Sequence, residues 1–427
     1  MPCSALFDLL RRMTDRLLRF MLIVARVMVG VVLMLSGFAK AIDPQGTLYK
    51  LQEYAEAIGW GTAFGDTLLT VAAIVLAATE WILGIALLMG VRRRLTTTVT
   101  MALMAVMTII SLWLWIANPV SDCGCFGDAV KLSNGKTALK NIVLLAAAVF
   151  LWRYHNSLTP LCSVTVRKLA MHLSVLYVLG IATWGVYRLP LIDFRPFHVG
   201  ADIQRQMEIP KGEEAPQFET TFILEKDGVQ REFTLDNYPD STWIFVDSQT
   251  RKVKDGYVPP IHDFSVTLTD TQEDITQQLL THTGNTVLLI AYNLDEAQQS
   301  DYGEYNHMYD AARRQGIPFY CLTASTQEQI ERWQQQTAAE YPFAITDETT
   351  LKTMVRSNPG LMLIRDGVIQ AKWSCNNLPQ VEEVVSNNTV QATPMRQLMA
   401  TALPYIVLML LLIGITKIRK HLKTHTL

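Results

Sequence analysis

The sequence predicts a membrane all-α bundle that carries an α/β domain outside the cytoplasm. Half of the 427 residues are hydrophobic and only 18% are charged, which is less charge than soluble proteins usually have. Six apolar stretches approach the roughly 20 residues that a helix needs to cross a bilayer. Residues 190–397, between the last two stretches, instead alternate strand and helix patterns. The net charge of −2 gives no electrostatic basis for binding nucleic acid.

The predicted spans differ in length, and the fourth is the shortest. They run from about Phe20 to Ala41, Leu68 to Gly90, Leu95 to Ala117, Ala138 to Leu151, Leu169 to Leu189 and Leu398 to Ile418. The fourth begins near Lys140, so we expect it to be tilted or partly interfacial. A cleavable signal peptide is the alternative for residues 1–42, but it requires a shorter apolar core and a small-residue cleavage site. We therefore expect an uncleaved first span.

The basic residues between the spans predict the orientation, because arginine and lysine concentrate on the cytoplasmic side of membrane proteins. Four basic clusters fall on one side if the spans alternate: Arg11, Arg12, Arg16 and Arg19; Arg92, Arg93 and Arg94; Arg153, Arg167 and Lys168; and Lys417, Arg419, Lys420 and Lys423. The intervening connections are acidic or mixed. Both termini are therefore expected in the cytoplasm, and residues 190–397 outside it.

We divide the chain into five parts. They are a four-helix membrane bundle (1–155), a fifth span (156–190), a linker with a β-rich segment (191–258), an extracytoplasmic α/β domain (259–395) and a sixth span with a basic cytoplasmic tail (396–427). Arg195 to Glu214 is the expected linker, since it is rich in charge and proline. Asp227-Gly228 is the expected turn of a hairpin between the strands Phe218–Leu224 and Gln230–Leu235.

The α/β domain is predicted from the alternation of apolar strands with helices. Thr286–Tyr292 is a continuous apolar run, as a buried parallel strand requires. After it we expect a helix at 303–314, a strand at 317–322, a helix at 326–338, a hairpin of 361–364 with 368–373, and a helix at 379–385. This order predicts a sheet of mixed strands.

Cys123 and Cys125 are the sharpest chemical feature. Two thiols one residue apart can form a strained disulfide, which is labile and suited to thiol–disulfide exchange. A static loop staple is one alternative and metal binding is another. No histidine or third cysteine lies nearby, so we expect no zinc site. Cys123 and Cys125 are therefore the candidate catalytic residues.

The residues around this pair resemble a known family, the methylamine-utilisation protein MauE and its DoxX-like relatives, over about residues 18–155. The supporting residues are Lys40, Asp43, Pro44, Asp122, Gly124, Phe126, Gly127 and Asn141, together with Glu80. The resemblance implies a four-helix bundle in the bacterial inner membrane. In MauE that bundle is associated with disulfide formation in a partner protein outside the cytoplasm.

A quinone is the cofactor that a second resemblance implies, although the residues themselves identify none. The bundle topology is similar to vitamin K epoxide reductase, in which thiols next to a quinone pass electrons to it. Glu80 lies near the middle of the second span, where a carboxylate either marks a functional site or fastens helices together. Arg26 and Lys40 are its available basic partners, but both lie nearer the span ends, where we expect them to snorkel.

The α/β domain resembles a thioredoxin-like fold of the periplasmic TlpA type over about residues 259–390. The resemblance rests on the strand order, on Pro259-Pro-Ile-His-Asp-Phe264, and on Asn358-Pro359 before a strand. Pro359 is placed like the cis-proline beside a thioredoxin active site, although an ordinary turn proline fits as well. Where that family has Cys-x-x-Cys, this sequence has Asn293-Leu-Asp-Glu-Ala297, which excludes dithiol exchange by that motif.

The remaining cysteines differ in their expected surroundings. Cys375, beside two asparagines, is expected to be exposed and is the candidate relay to Cys125. Cys321 is flanked by apolar residues and is expected to be an inert core thiol. The thioredoxin-like resemblance implies that the second strand lies on one side of the first and the hairpin on the other, which places Cys321 too far from Cys375 to bond with it. Cys3 and Cys162 are expected on the cytoplasmic side as bystanders.

Two functions from different classes fit these features. The first is a membrane thiol–disulfide redox protein that takes electrons from an extracytoplasmic client protein and passes them to a quinone or a partner. The second is a non-enzymatic, membrane-anchored client-binding or assembly protein in which Cys123 and Cys125 form a structural bridge. A transporter is a weaker alternative, since no inverted repeat is visible. Both main hypotheses involve the lipid bilayer and a client, and neither predicts an oligomeric state.

Overall fold

A computed structural model describes residues 3–425 apart from 62, 121, 227, 255, 263 and 299–301. Side chains are described at these residues except at 3–12, 218, 236, 249, 252 and 415–425. The side chains of Cys3, of Arg11 and Arg12, and of the basic tail therefore lie outside the described part.

Helices make up the membrane part and alternate with strands between residues 203 and 385. In chain order the described helices are α1 (Cys3–Ile42), α2 (Pro44–Ala57), α3 (Asp66–Met89), α4 (Arg93–Ala117), α5 (Asn134–Arg153), α6 (Val164–Tyr187), α7 (Ile203–Met207), α8 (Thr276–Thr281), α9 (Tyr302–Arg314), α10 (Gln327–Thr337), α11 (Glu348–Met354), α12 (Val381–Val385) and α13 (Pro394–His425). The described strands are β1 (Gln217–Lys226), β2 (Val229–Thr234), β3 (Ile244–Lys254), β4 (Thr267–Leu268), β5 (Asn285–Ile290), β6 (Phe319–Thr323), β7 (Phe343–Ile345), β8 (Gly360–Arg365) and β9 (Val368–Ser374).

Six helices in the described part are long and apolar enough to cross a membrane, which confirms the number of predicted spans. They lie in α1, α3, α4, α5, α6 and α13. The expected short fourth span is wrong, because α5 has 20 residues and begins at Asn134. Asn134 and Thr137 are buried inside the bundle, so their polarity hid the first turn of this helix from a search for apolar residues.

Helix α2 is not among the predicted elements, because its acidic sequence indicates a connection between spans. It starts at Pro44, and the side chain of Asp43 caps it by accepting a hydrogen bond of 2.9 Å from the backbone N–H of Gly46. Proline in the first helical position and aspartate as the N-cap are both favoured at helix starts. The Asp43-Pro44 pair of the family resemblance therefore has a structural role, which is to begin α2 directly after α1.

Helices α1 and α3 pack closely because glycines lie at their contact. A Cβ atom added at Gly37 would lie 2.6 Å from the backbone oxygen of Ala77, and one added at Gly84 would lie 2.7 Å from that of Gly30. Small residues at helix contacts allow such close approach in membranes. The close approach brings the last turn of α1 against the middle of α3, where the polar site described below is built.

A six-stranded mixed sheet forms the core of the region after α6. Its strand order is β4-β7-β6-β5-β8-β9, with β5, β6 and β7 parallel and β8 and β9 antiparallel to their neighbours. The predicted arrangement is confirmed, because β6 lies on one side of β5 and the hairpin of β8 and β9 on the other. Strands β4 and β7 and helices α8 and α11 were not predicted, since each is seven residues or shorter.

The expected linker at Arg195 to Glu214 differs from the structure. Arg195, Phe197, Val199, Ala201 and Ile203 are all buried, and the last four belong to the hydrophobic core of the sheet. The backbone N–H of Ile369 donates to Ala201, and that of Gly200 donates to Ile369, so the segment runs along β9. The buried apolar residues alternate with polar residues and a glycine here, and this alternation indicates an edge segment rather than a linker. We call residues 193–207 and 264–391 together the six-stranded unit.

A separate three-stranded sheet follows α7, in the order β2-β1-β3. The predicted hairpin is confirmed, with Lys226 opposite Val229 at its turn. Strand β3 was not predicted, and it pairs antiparallel with β1. Polar and charged residues fill most of its second half, and most of its described residues are exposed, so the strand has little apolar patterning.

Candidate redox site

The cysteine loop, residues 118–133, joins α4 to α5 and carries the two candidate catalytic thiols. The Sγ atoms of Cys123 and Cys125 lie 3.0 Å apart, and neither thiol is in a disulfide. Both side chains are partly buried. Two thiols at this distance need to approach by only about 1 Å to reach the length of a disulfide bond.

Glycines and a carboxylate shape the backbone around the pair. Gly124 has φ of +59° and Gly127 has φ of +53°, a left-handed conformation that glycine adopts at little cost. The backbone N–H of Gly124 donates to Oδ1 of Asp122 at 2.9 Å, and that of Gly127 donates to the carbonyl of Gly124 at 3.0 Å. Residues 122–127 thus form a tight turn, which keeps the two thiols close together.

A buried ion pair in the bundle, between Lys40 and Glu80, is hydrogen-bonded to this turn. Nζ of Lys40 donates to Oε2 of Glu80 at 2.8 Å, to Oγ of Ser36 at 2.6 Å and to the carbonyl of Cys125 at 2.7 Å. Oγ of Ser36 donates to the same carbonyl at 2.7 Å. An ammonium group has three protons, so these three contacts satisfy Lys40 completely. The network connects Glu80, in the middle of α3, to the backbone of Cys125.

The expectation that Lys40 and Arg26 snorkel is wrong. Lys40 is only 5% exposed and is paired with Glu80, while Arg26 is 6% exposed. Arg26 donates to the carbonyls of Leu87 and Leu88, at the end of α3, and to that of Thr159. Buried charges are retained when other groups satisfy them, and the close packing of α1 on α3 supplies those partners.

The other cysteine of the pair, Cys123, is held through Tyr54. Tyr54 lies in α2 and is not among the residues identified from sequence. Its hydroxyl donates to the carbonyl of Cys123. Burial raises the pKa of Tyr54, and the neighbouring Cys123 adds to this effect, so the hydroxyl stays protonated and remains a donor. A tyrosine in an acidic amphipathic stretch gave no signal, because only the fold brings α2 over the cysteine loop.

The two thiols differ in acidity. Hydrogen bonding to Cys123 lowers the pKa of Cys125 to about 6, against the opposing effect of burial, and Lys140 and Lys40 contribute to this lowering. The same hydrogen bond, together with burial, raises the pKa of Cys123. Nζ of Lys140 lies 4.5 Å from the centre of the Phe126 ring, which keeps this cation beside the loop. Cys125 is therefore the more acidic thiol of the pair.

Asn141 has a different role from the other motif residues. It is buried in α5, and its side-chain nitrogen donates to Oγ of Ser111 at 3.1 Å and to the carbonyl of Met107 at 3.2 Å. These bonds fasten α5 to α4, the two helices that the cysteine loop connects. Asn141 thus affects the cysteine loop only by fixing the two helices, α4 and α5, that the loop connects.

The six-stranded unit contacts the cysteine loop through Arg356. Its Nε lies 3.0 Å from Oδ2 of Asp43, and its Nη2 lies 3.1 Å from Oδ2 of Asp128. The guanidinium also lies over the ring of Tyr49 in α2, at 5.1 Å. Arg356 is 6% exposed, so these contacts are largely shielded from water. Sequence analysis missed this residue, because an arginine between a helix and a turn gives no signal of its distant partners.

Next to Arg356, the Asn358–Pro359 peptide bond is cis. The side-chain nitrogen of Asn358 donates to the carbonyl of Asn293 at 2.7 Å, and the backbone N–H of Gln298 donates to the carbonyl of Asn358 at 2.9 Å. Residues 293–297, which lack cysteine, therefore lie against residues 355–359, the connection between α11 and β8. We call this connection the Pro359 loop.

Cys375 is buried, contrary to the expectation that it is exposed. Its side chain is 8% exposed, with Oγ of Ser357 at 3.3 Å and Oε1 of Gln298 at 2.9 Å from its sulfur. The fold covers it because the turn after β9 packs beneath the Pro359 loop. The neighbouring Asn376, whose polarity suggested exposure, donates instead to the carbonyl of Tyr187 at the end of α6.

The other described cysteines lie in apolar surroundings. Cys321 is fully buried on β6, and burial raises the pKa of its thiol. Strands β5 and β8 separate it from β9 and Cys375, which corresponds to about 14 Å at the usual strand spacing. Cys162 is buried among apolar residues of α1, α3 and α6. Cys3 lies outside the described side chains.

A buried charged cluster, also missed, anchors the start of the six-stranded unit. Asp193 pairs with Arg195 at 2.8 Å and with Lys372 at 2.6 Å. Burial would raise the pKa of Asp193, but the two cations hold it well below its ordinary value. Burial lowers the pKa of Lys372 to about 8, against the effect of Asp193. The cluster fixes the chain where it leaves α6.

The six apolar helices and the folded unit between the last two define a multi-pass membrane protein. Residues 18–153 match the family of the methylamine utilisation protein MauE, which confirms the MauE part of the resemblance predicted for the bundle. Residues 218–255, the three-stranded sheet, match a domain of unknown function (DUF8463). No curated protein and no solved structure matches the chain.

Proposed function

We propose that the protein is a membrane thiol–disulfide oxidoreductase and that Cys123 and Cys125 are its redox pair. The observation that carries the proposal is the 3.0 Å separation of two thiols of unequal acidity in a loop tied to a buried ion pair. A loop staple needs no acidic thiol and no charged network beneath it. Low thiol pKa and a positive environment are typical of reactive cysteines.

The proposed reaction starts from the oxidised pair. A client thiolate attacks the Cys123–Cys125 disulfide and breaks its S–S bond, forming a mixed disulfide with Cys123 and releasing Cys125 as a thiolate. Cys125 is the better leaving group because it has the lower pKa of the two. A second client thiol then displaces Cys123, which leaves a client disulfide and a reduced pair. The client has lost two electrons and two protons.

Reoxidation requires a two-electron acceptor, which we propose to be a quinone. Two electrons and two protons pass from the dithiol to the quinone, giving a quinol and restoring the disulfide. We propose that Lys40, Ser36 and Glu80 act as positioning residues in this cycle, because they hold the carbonyl of Cys125. Tyr54 does the same for Cys123.

We propose that the six-stranded unit is a thioredoxin-like domain that positions the client. Support comes from its strand order, while residues 293–297 lack the usual two cysteines. By similarity to MauE, the client is an extracytoplasmic protein of methylamine utilisation. The orientation follows the basic clusters, with both termini in the cytoplasm of a bacterium and the unit outside its inner membrane.

Cys375 is the proposed relay between a protein client and the pair. Its thiolate takes the place of the first client thiolate: it attacks the Cys123–Cys125 disulfide, forms a mixed disulfide with Cys123 and releases Cys125 as a thiolate. A client thiolate then attacks Cys375 and releases Cys123, and a second client thiol displaces Cys375, which leaves a client disulfide. Cys375 lies beneath the Pro359 loop, where its sulfur contacts Ser357. Arg356, in the same loop, contacts Asp128 close to Cys125. Because Cys375 is buried, its exchange requires this loop to move. A Cys375→Ser variant should therefore slow oxidation of a protein client while leaving oxidation of a small dithiol unchanged.

The test uses the purified full chain in nanodiscs with a reduced, disulfide-forming model protein and a short-chain ubiquinone. We expect client oxidation and quinol formation in equal amounts, and loss of both in Cys123→Ser and in Cys125→Ser. A Cys162→Ser variant, which changes a buried thiol away from the loop, is the matched control. If all three variants still bind a client but none differs in oxidation from the parent, the protein is a client-binding anchor with a structural cysteine pair.

A further inference from the structure

A basic cavity lies at the end of the bundle opposite the cysteine loop. It has a volume of about 860 Å³ and opens between the α3–α4 connection, the α5–α6 connection and the first turn of α6. Four arginines line it, Arg92, Arg93, Arg94 and Arg167, together with His155. None of its described lining residues is acidic, and none of the four arginines takes part in an ion pair among the described residues. The cavity is therefore a concave site of uncompensated positive charge.

The N-terminus of α4 adds to this charge. The N-cap residue Arg92 has φ of +35° and forms no side-chain hydrogen bond with the first turn. The N–H groups of a first turn have no partner within their own helix, and the dipole of a 25-residue helix makes them an anion-binding site. Arg94 and Leu95, both in this first turn, line the cavity.

Arg167 and Arg93 are held in place at the wall of the cavity. Nη1 of Arg167 donates to the carbonyl of Gly90 at 2.8 Å, which fixes the side chain against the end of α3. Arg93 donates to the carbonyl of Asn156 at 3.1 Å. Both bonds are to neutral carbonyls, so the positive charge of the two guanidinium groups is not compensated by them.

We propose that this cavity binds a phosphate group, carried either by an anionic phospholipid or by a soluble phosphate compound. Phosphate oxygens accept charge-assisted hydrogen bonds from guanidinium groups and from helix N-termini. Basic clusters that only orient a membrane protein need not gather around one cavity. In the proposed orientation the cavity faces the cytoplasmic leaflet, where anionic lipids attract basic segments. The inference is independent of the redox proposal.

The test measures lipid retention by native mass spectrometry on the full chain in neutral detergent. The probes are dioleoylphosphatidylglycerol, dioleoylphosphatidylcholine with the same acyl chains, and inorganic phosphate. We compare the parent with Arg92→Gln/Arg94→Gln, whose side chains are exposed and tolerate substitution, and with Arg167→Gln. Lys168→Gln is the matched control, since it removes an exposed charge beside Arg167 that does not line the cavity.

We expect the parent to retain phosphatidylglycerol over phosphatidylcholine and the Arg92/Arg94 variant to retain it about tenfold less, with Lys168→Gln unchanged. Competition by millimolar inorganic phosphate would support a phosphate site and assign it to soluble compounds, whereas its absence would assign the site to lipid. Equal retention of both lipids by every variant, with no effect of inorganic phosphate on thermal stability, would overturn the proposal. The Arg92/Arg94 variant keeps the test valid if Arg167→Gln fails to fold.

Discussion

Arg356 and Asp128 form an ion pair with 3.1 Å between Nη2 and Oδ2, across the boundary between the six-stranded unit and the cysteine loop. Asp128 follows Cys125 by three residues, and Arg356 precedes the cis Pro359 by the same interval. The same guanidinium contacts Asp43, the cap of α2. One arginine therefore links the six-stranded unit to the loop that holds the thiols and to the helix that carries Tyr54.

Replacing Arg356 with glutamine should loosen this contact. The substitution leaves Asp43 and Asp128 without their cation, and we expect a loss of about 1–3 kcal/mol, since hydrogen bonds to charged groups have this magnitude. Thermal unfolding and the rate of maleimide labelling at Cys125, the more acidic thiol, measure the effect, and the labelling should become faster. Arg332→Gln is the control, because its contact with Asp295 at 3.6 Å is half exposed. Equal effects of the two substitutions would contradict a docking role for Arg356.

The Lys40–Glu80 pair should be costly to break on one side only. Lys40→Met leaves a buried carboxylate without a partner, which costs about 3–5 kcal/mol in buried pairs. The double variant Lys40→Met/Glu80→Met should recover much of this stability, because neither charge remains. Client oxidation should stay low in the double variant, since the carbonyl of Cys125 still lacks its donor Lys40. Recovery of both stability and oxidation would show that the pair only fastens α1 to α3.

The unequal acidity of the two thiols predicts a pH profile. The pKa of Cys125 is lowered to about 6, so its thiolate form, and with it the rate of iodoacetamide alkylation, should rise as pH increases through about 6. Cys123→Ala removes the hydrogen bond that lowers this pKa, and the midpoint should move up toward the ordinary value of about 8.5. Cys123→Ser keeps a hydroxyl donor and should move it less. Peptide mapping of the reduced protein identifies the alkylated residue. An unchanged midpoint in Cys123→Ala would contradict the assigned cause.

Close packing of α1 on α3 predicts a sharp difference between two glycines. In Gly37→Ala the new methyl group would lie 2.6 Å from the backbone oxygen of Ala77, so we expect destabilisation of at least about 1–3 kcal/mol, as overpacking gives. Gly180→Ala in α6 meets no atom within 4 Å and should leave stability unchanged or slightly higher. Thermal unfolding in the same detergent compares them. Similar melting temperatures for the two variants would mean that the contact at Gly37 is looser than described.

Much of the fold could be predicted from sequence because its signals are local. Apolar length predicted all six spans, and the alternation of strands and helices predicted the centre of the six-stranded unit. The fourth span was predicted too short because Asn134 and Thr137 are polar but face inward. The segment from Arg195 was taken for a linker because its charges mask the buried Phe197 and Ile203. In both cases burial within the fold, which composition does not reveal, decided the structure.

The candidate site could also be predicted only in part from sequence. Cys123, Cys125, Lys40 and Glu80 were found from sequence because thiols and intramembrane charges are rare enough to be noticed. Their connection was not found, since it depends on α1 and α3 approaching closely at Gly37. Tyr54 and Arg356 were missed for a related reason, because their partners lie far away along the chain. Cys375 was expected on the surface, since its neighbouring asparagines suggested exposure that the fold does not provide.

The redox state of Cys123 and Cys125 in intact membranes tests the central proposal most directly. Free thiols are trapped with a mass-tagging maleimide after the membrane quinone pool is reduced or oxidised, and Cys123→Ser identifies the bands. We predict that the pair gains two tags when the pool is reduced and loses them when it is oxidised, and that Cys375→Ser slows this change when a client is present. A pair whose tag number stays the same in both conditions would contradict a role in electron transfer.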